Sequence, residues 1–484
     1  MGSMSLDAGQ LQQWVNRKWD EDIIPALSEF IKVPAKSPNF DANWAENGFL
    51  DKVVDDAVKW TQAQNIEGLH IEVVRLKTPE GKPRTPVIFF DVAAFNSSSD
   101  KTVFMYGHLD KQPESSGWNE GLGPWTPKII DDKLYGRGGA DDGYSIYASV
   151  AILQILQKMN ASHPRVVGLF ECCEESGSFD LPAYFDILRD RMGDVGMVVC
   201  LDSGAANYDQ LWMTNSLRGS VAGTLKVEVA TEGIHSGDAS GVVPSSMRIM
   251  RQLFDRLEDQ KTGEILPEVC KCEIPPKRLQ EAKETAAILG EKLIKRFPWA
   301  KGANGAPVQP VTDDPLDAYL NRSWRSTLCV TGVDGIPTLA DAGNVLRPYT
   351  AFKISMRMPP TVNAKQASVE IKTLLEENPP YNAKVTFTPA QASQGWSLQD
   401  YEPWLEDALQ QASQKFYGAP CGYNGQGGSI PLINMLQENF PSAQMLVCGV
   451  LGPGSNAHGP NEFIHLGYAR KLTASLALVL AKHP

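Results

Sequence analysis

Positive charge is in short supply in this chain. Its 45 Lys and Arg are outnumbered by 57 Asp and Glu, which leaves a formal net charge of −12. That balance argues against nucleic acid and anionic membrane surfaces as main partners. No apolar run reaches the roughly eighteen residues of a membrane-spanning helix, and no signal-peptide pattern is present. Met1-Gly2-Ser3 reads as a cloning remnant ahead of Met4. Histidine is scarce too, with only 7 in the chain, so each one near an acid carries weight. The 8 cysteines are scattered, and Cys172-Cys173 and Cys270/Cys272 lack zinc-ribbon spacing. The expectation is reduced thiols in a cytoplasmic protein. No internal repeat occurs, and no low-complexity tract beyond the short "NSSSD" loop.

The rest of the composition is that of a globular protein, 42% hydrophobic and 21% charged, and 484 residues are more than one core usually holds. Residues 10–33 and 47–64 have helical periodicity, and strand-like runs follow: "IEVVRLK", "PVIFFDVAA" and "KTVFMYGHLD". An apolar helix is expected at 144–159, a strand at 165–173, then helix-like "LPAYFDILRDRM" and the strand "VGMVVCLDSG". This alternation predicts an α/β domain with a mostly parallel sheet and helices on both faces. Near Trp212 the pattern changes. Leu225, Val227 and Val229 share one face of an alternating strand, and "SWRSTLCVTGV", "YTAFKISMRMP" and "AKVTFTPA" read likewise. With the helical stretches "SSMRIMRQLFDRLEDQ" and "PKRLQEAKETAAILGEKLIKRF" between them, they predict an α+β domain on an antiparallel sheet. The α/β pattern then returns. The expected organisation is one α/β domain, 4–213 and 393–484, interrupted by an insertion at 214–392.

Ligands of open α/β sheets sit beyond the C-terminal ends of the strands. Five segments place an acid or a histidine there: His108 and Asp110, Asp141-Asp142, Glu174-Glu175, Asp202, and His458. Taken singly, Asp141-Asp142 could cap the next helix, Glu174-Glu175 could be a solvated turn, and His458 could be a surface residue. Together they form a cluster of carboxylates and imidazoles with no Lys or Arg among them, and such a cluster needs a cation. Asp141, Glu175 and Asp202 supply three negative charges. Two divalent ions and one bridging hydroxide would make the site neutral. One carboxylate can bridge ions about 3.5–4 Å apart. Of two adjacent glutamates, one can bind metal while the other faces the water as general base. Mixed imidazole and carboxylate ligands suit Zn²⁺, with Mn²⁺ or Co²⁺ as alternatives.

The stretches "YGHLDKQP", "LYGRGGADDG", "ECCEESGS", "CLDSG", "LRGSVAGTLKVEV", "GIHSGDASGVVPSSM", "SMRMPP", "GGSIP" and "NAHGPNE" occur in this order between about residues 100 and 465. In that order the chain resembles the dinuclear zinc metallopeptidase family of glutamate carboxypeptidase, aminoacylase and succinyl-diaminopimelate desuccinylase. It is most similar to the cytosolic non-specific dipeptidase, or carnosinase-like, branch. The resemblance implies that His108, Asp141 and Asp202 bind one ion, and that Asp141, Glu175 and His458 bind the other. Asp110 would orient His108, Glu174 would be the general base, and the Asp141–Asp142 peptide would be cis. It also implies that the inserted domain is a lid and dimerisation domain. His235 would reach the partner subunit's active site, Arg357 would clamp the substrate carboxylate, Asn344 would contact substrate, and Ser429 with the Gly427 and Gly428 backbone N–H groups would hold the same carboxylate. The residues alone leave other readings open: His235 capping a turn, Arg357 as a surface charge, Ser429 as a helix cap.

Two departures concern the substrate pocket. The segment "TFTPAQASQGW" lacks a histidine that the dipeptidases carry, and "YNGQ" replaces charged residues before "GGSIP". The implied activity is hydrolysis of dipeptides or small peptide-like amides with a free C-terminal carboxylate, by a cytoplasmic homodimer using a metal-bridging hydroxide. The alternatives are an N-acyl amino acid deacylase and, from another class, a catalytically silent binding protein.

Overall fold

The computed structural model describes residues 6–484, so the reading of Met1-Gly2-Ser3 lies outside the described residues. The first helical stretch departs from the single helix expected at 10–33. It runs as Ala8–Lys18, a wider turn Trp19–Ile23, and Ile24–Lys32. Pro25 explains the break, because it has no N–H to continue the ladder and its ring crowds the preceding turn. The N–H of Ile24 bonds instead to the carbonyl of Trp19, five residues back.

The chain divides into two compact units. One comprises the residues up to Thr214 with Gln399–Asn424 and Met435–Pro484; the other comprises Asn215–Leu398 and Gly425–Asn434. The first is built on a six-stranded sheet in the order Leu69–Val74, Val87–Val92, Arg165–Glu171, Thr102–His108, Val195–Cys200, Gln444–Val447. The last four strands of that order run parallel, and the first two are antiparallel additions at one edge. Every residue of Thr102–His108 is buried. A strand apolar on both sides requires cover on both faces of the sheet. Helix Tyr144–Lys158 is buried from Tyr144 through Leu156, and Leu466–Ala481 packs against it. Because four strands share a direction, the segments after His108, Glu171, Cys200 and Val447 leave the sheet at one edge.

The second unit carries a four-stranded antiparallel sheet in the order Thr327–Asp334, Tyr349–Met358, Gly219–Glu228, Lys384–Ser393. Its register sets Leu225 opposite Phe352 on one side and Phe387 on the other. Val221, Leu225 and Val227 are buried while Thr224 is exposed, as one-faced burial demands. Helices Ser246–Phe254 and Ala364–Glu376 cover that face with Ile249, Met250, Leu253, Ile371 and Leu375. Full burial of a side chain such as Leu225 stabilises by about 2 kcal/mol. The charged helical stretch expected over 276–297 is interrupted: Pro276–Leu289 ends at Gly290, where φ is 51°, and a short turn Lys292–Lys295 follows. All the cysteines are free. Among the described residues, no helix is long and apolar enough to cross a membrane.

Candidate metal centre

In the first unit, two groups of side chains each bring three ligand atoms within 4.8 Å of one another: His108, Asp141 and Asp202, and Asp141, Glu175 and His458. Asp141 belongs to both. His108 Nε2 lies 3.3 Å from Asp141 Oδ1 and 3.9 Å from Asp202 Oδ2. His458 Nε2 lies 3.1 Å from Asp141 Oδ2 and 3.3 Å from Glu175 Oε2. Glu174 Oε2 is 3.9 Å from His108 Nε2. The peptide between Asp141 and Asp142 is cis. These two aspartates do not cap the next helix, whose N-cap is Gly143 with no side-chain cap bond.

The donor chemistry of His108 fits a cation. Its Nδ1 is 3.0 Å from the carbonyl oxygen of Asp110, which can only accept, so Nδ1 donates. Nε2 then faces two carboxylates, Asp141 and Asp202, a position that either a proton on Nε2 or a cation must fill. In the other group, Glu175 Oε1 is buried with no hydrogen-bond partner among the described residues. Two imidazoles and three carboxylates, without Lys or Arg, match the ligand preferences of zinc and its neighbours.

The electrostatics agree. Burial pushes the Glu174 carboxyl well above its usual range, and the charge of Asp202 adds to it. Glu175 is pushed up to about 11 by burial and then by Asp141. Burial raises Asp202 to about 6, against the opposing pull of His108. Burial acts on Asp141 in the same sense, but hydrogen bonds with His108 and His458 outweigh it and hold that carboxyl low. Burial disfavours the charged His108 ring, yet Asp110 and Asp141 together outweigh it and raise the ring's pKa. Packed this closely, the acids must share protons or a cation.

The structure gives one sequence-read residue a further task and adds supporting residues that were not singled out from the sequence. Asp110 does more than face His108. Its Oδ1 accepts the Glu174 N–H at 3.2 Å and its Oδ2 the Glu175 N–H at 3.0 Å, so one buried carboxylate holds the turn that presents both glutamates. Gln112 donates to Glu175 Oε2 at 2.7 Å. Glu171, fully buried, accepts from Tyr106 and Ser178 hydroxyls at 2.6 and 2.7 Å. Lys111 is buried and donates to the carbonyls of Phe30 and Val33 at 2.7 Å each, capping the end of helix Ile24–Lys32. Gly107 is required by close approach, since a Cβ there would lie 2.1 Å from Ser145 Oγ. A signal for these residues was present, because most lie inside or beside the quoted motifs, but their roles depend on partners distant in the chain.

His235, Asn344, Arg357, Gly428 and Ser429 belong to the second unit. Arg357 Nη1 lies 3.4 Å from Ser429 Oγ, and Ser429 Oγ donates to the Arg218 carbonyl at 2.6 Å. Gly428 is exposed, and a Cβ there would meet nothing within 4 Å. Asn344 is exposed, and its carbonyl accepts the N–H of Ser236 at 2.9 Å, beside His235. His235 is exposed, and its Nδ1 accepts the Gly237 N–H at 3.1 Å. Within the single chain it therefore caps a turn, and with Nδ1 accepting, the ring's other nitrogen is the one that can donate.

Residues 104–482 match Peptidase family M20/M25/M40. The chain is 24% identical over 416 residues to the cysteinylglycine-S-conjugate dipeptidase of Corynebacterium striatum, covering 85% of this chain and 86% of that protein. It is also 24% identical over 466 residues to the Beta-Ala-His dipeptidase of Homo sapiens, covering 94% and 88%. The crystal structure of human carnosine dipeptidase 1 shares the fold, with a TM-score of 0.72 at 20% identity over 98% of this chain and 99% of that one. The carnosinase-like branch suggested by the sequence motifs is where these relatives fall.

Proposed function

Since the chain belongs to peptidase family M20/M25/M40, we propose that it is a metal-dependent dipeptidase acting on dipeptides, or small peptide-like amides, with a free C-terminal carboxylate. The observation that carries this reading is the pair of ligand groups joined through Asp141, with Glu174 beside them. Two divalent ions, zinc in first place and manganese or cobalt as alternatives, held by His108, Asp141, Asp202, Glu175 and His458, would polarise the scissile carbonyl and acidify the attacking water. Glu174 takes a proton from that water and passes it to the departing amine nitrogen. Asp110 holds His108 in one tautomer and fixes the Glu174–Glu175 turn.

If Asp141 serves both ions, Asp141→Ala should lower metal content at both positions together. Elemental analysis finding two full equivalents in that variant would remove the bridging assignment. Arg357, paired with Ser429, is assigned to the substrate carboxylate, which its planar fork matches. Arg357→Ala should weaken kcat/KM about 10- to 100-fold for substrates with a free carboxylate, the worth of one charged hydrogen bond. C-terminal amides should be nearly unaffected. An unchanged preference for acids over amides would take Arg357 out of the clamp.

We infer a homodimer formed through the second unit. Its edge strand Thr327–Asp334 supports this reading, with Val330 and Val333 45% and 59% exposed. The free cysteines accord with a cytoplasmic location. One substrate panel tests the central claim: dipeptides against N-acetyl and N-succinyl amino acids, with zinc and then manganese. Turnover confined to the acylated amino acids would make the protein a deacylase. No turnover of either class with both metals bound would leave a binding protein.

A further inference from the structure

Glu462 and Arg137 form an ion pair at 2.7 Å that is almost entirely shut off from water, at 0% and 1% exposure. Burying two charges costs free energy, so such a pair contributes little net stability. Its connections are more informative. Glu462 Oε1 is approached by the N–H groups of Gly138, Ala140 and Asp141 at 3.1, 3.3 and 3.2 Å. On the other side, Arg137 Nη2 donates to the carbonyl of Gly459 at 2.8 Å and to Ser115 Oγ at 3.3 Å. Ser115 Oγ donates in turn to the carbonyl of His458 at 3.1 Å. One buried pair thus holds the backbone of Asp141 and the Gly459 carbonyl directly, and the His458 carbonyl through Ser115.

His458 needs such a hold. Its side chain is 56% exposed, and its φ of 66° is one that side-chain-bearing residues seldom adopt. His108 and Asp202 are placed differently. His108 is the last residue of a buried strand and Asp202 follows another by two residues, so the sheet sets both. The Asp141–Glu175–His458 group therefore has two of its three members tied to the pair, and the His108–Asp141–Asp202 group has one.

We infer that the Arg137–Glu462 pair is a positioning device for one of the two ions, setting Asp141 against His458 in the Asp141–Glu175–His458 group. The inference rests on the two-ion reading above. Partners that orient ligands are worth about 10- to 100-fold in metal affinity. The test is stepwise Zn²⁺ and Mn²⁺ titration of the full chain, followed calorimetrically and by elemental analysis, without substrate. Wild type binding fewer than two ions would sink the two-ion reading itself. With two bound, Glu462→Gln should keep one equivalent within about threefold of wild type and weaken the other at least tenfold. Both affinities unchanged would overturn the inference. So would both weakened alike, which is what a general loss of structure produces. Ser115→Ala keeps the buried pair and changes an exposed residue, so it covers the case in which Glu462→Gln does not fold. It should weaken the same equivalent about tenfold and leave the other within about threefold, and equal or absent effects on the two ions overturn the proposal as before.

Discussion

Glu174→Gln is expected to lower turnover by at least about 10²-fold while leaving fold and metal content intact. The substitution is nearly isosteric and removes only the ability to exchange a proton. The turn is held through the Glu174 backbone N–H on Asp110, which the change does not touch. Glu174 belongs to neither three-residue ligand group, so both groups keep their members. The contacts of the two adjacent glutamates support assigning the base role to Glu174. Glu175 meets His458 at 3.3 Å and accepts from Gln112, whereas Glu174 faces His108 from 3.9 Å. A variant with metal content like wild type and more than half the activity would exclude Glu174 as the base.

His235→Ala should cost about 10²- to 10³-fold in turnover, the range for losing one donor to a developing oxyanion. The geometry suits that task, because the turn occupies Nδ1 of an exposed ring and leaves Nε2 to donate. His235 is in neither ligand group, so metal binding should be unchanged. If the residue acts in the partner's site, neither the His235→Ala nor the Glu174→Gln homodimer should work. A mixed dimer of the two should regain one site that combines an intact Glu174 with an intact His235. Co-expression with two different affinity tags isolates that species. A purified mixed dimer no more active than its parents would show that His235 does not act across the interface.

Local pattern was enough for much of this. The alternation of apolar Leu225 and Val227 with polar Thr224, Lys226 and Glu228 marked a one-faced strand, because the side-chain period of a strand is two. The run Val103–Tyr106 read as a strand, and its complete burial is what shows cover on both sides of the sheet. Acids and histidines just past such strands were legible as neighbours in space, since parallel strands end at one edge. Boundaries were less legible. The turn at Trp19–Ile23 and the break at Gly290 interrupt stretches whose periodicity runs through both. The segment Gly425–Asn434, with Gly428 and Ser429, groups with the second unit although the flanking residues belong to the first.

By itself, then, the sequence determined the fold class, the family motifs and the set of residues available to bind a cation, because these follow from periodicity and from residue chemistry along short stretches. Tertiary structure alone decided what holds those residues in place. Glu462 meets Arg137 across 325 positions of chain, and Asp110 meets the Glu174–Glu175 turn across 64 and 65. A buried carboxylate has to find its donors, and in a parallel sheet the nearest ones come from loops that the chain reaches only after long crossovers. No local pattern encodes that pairing; only closure of the fold brings the partners together.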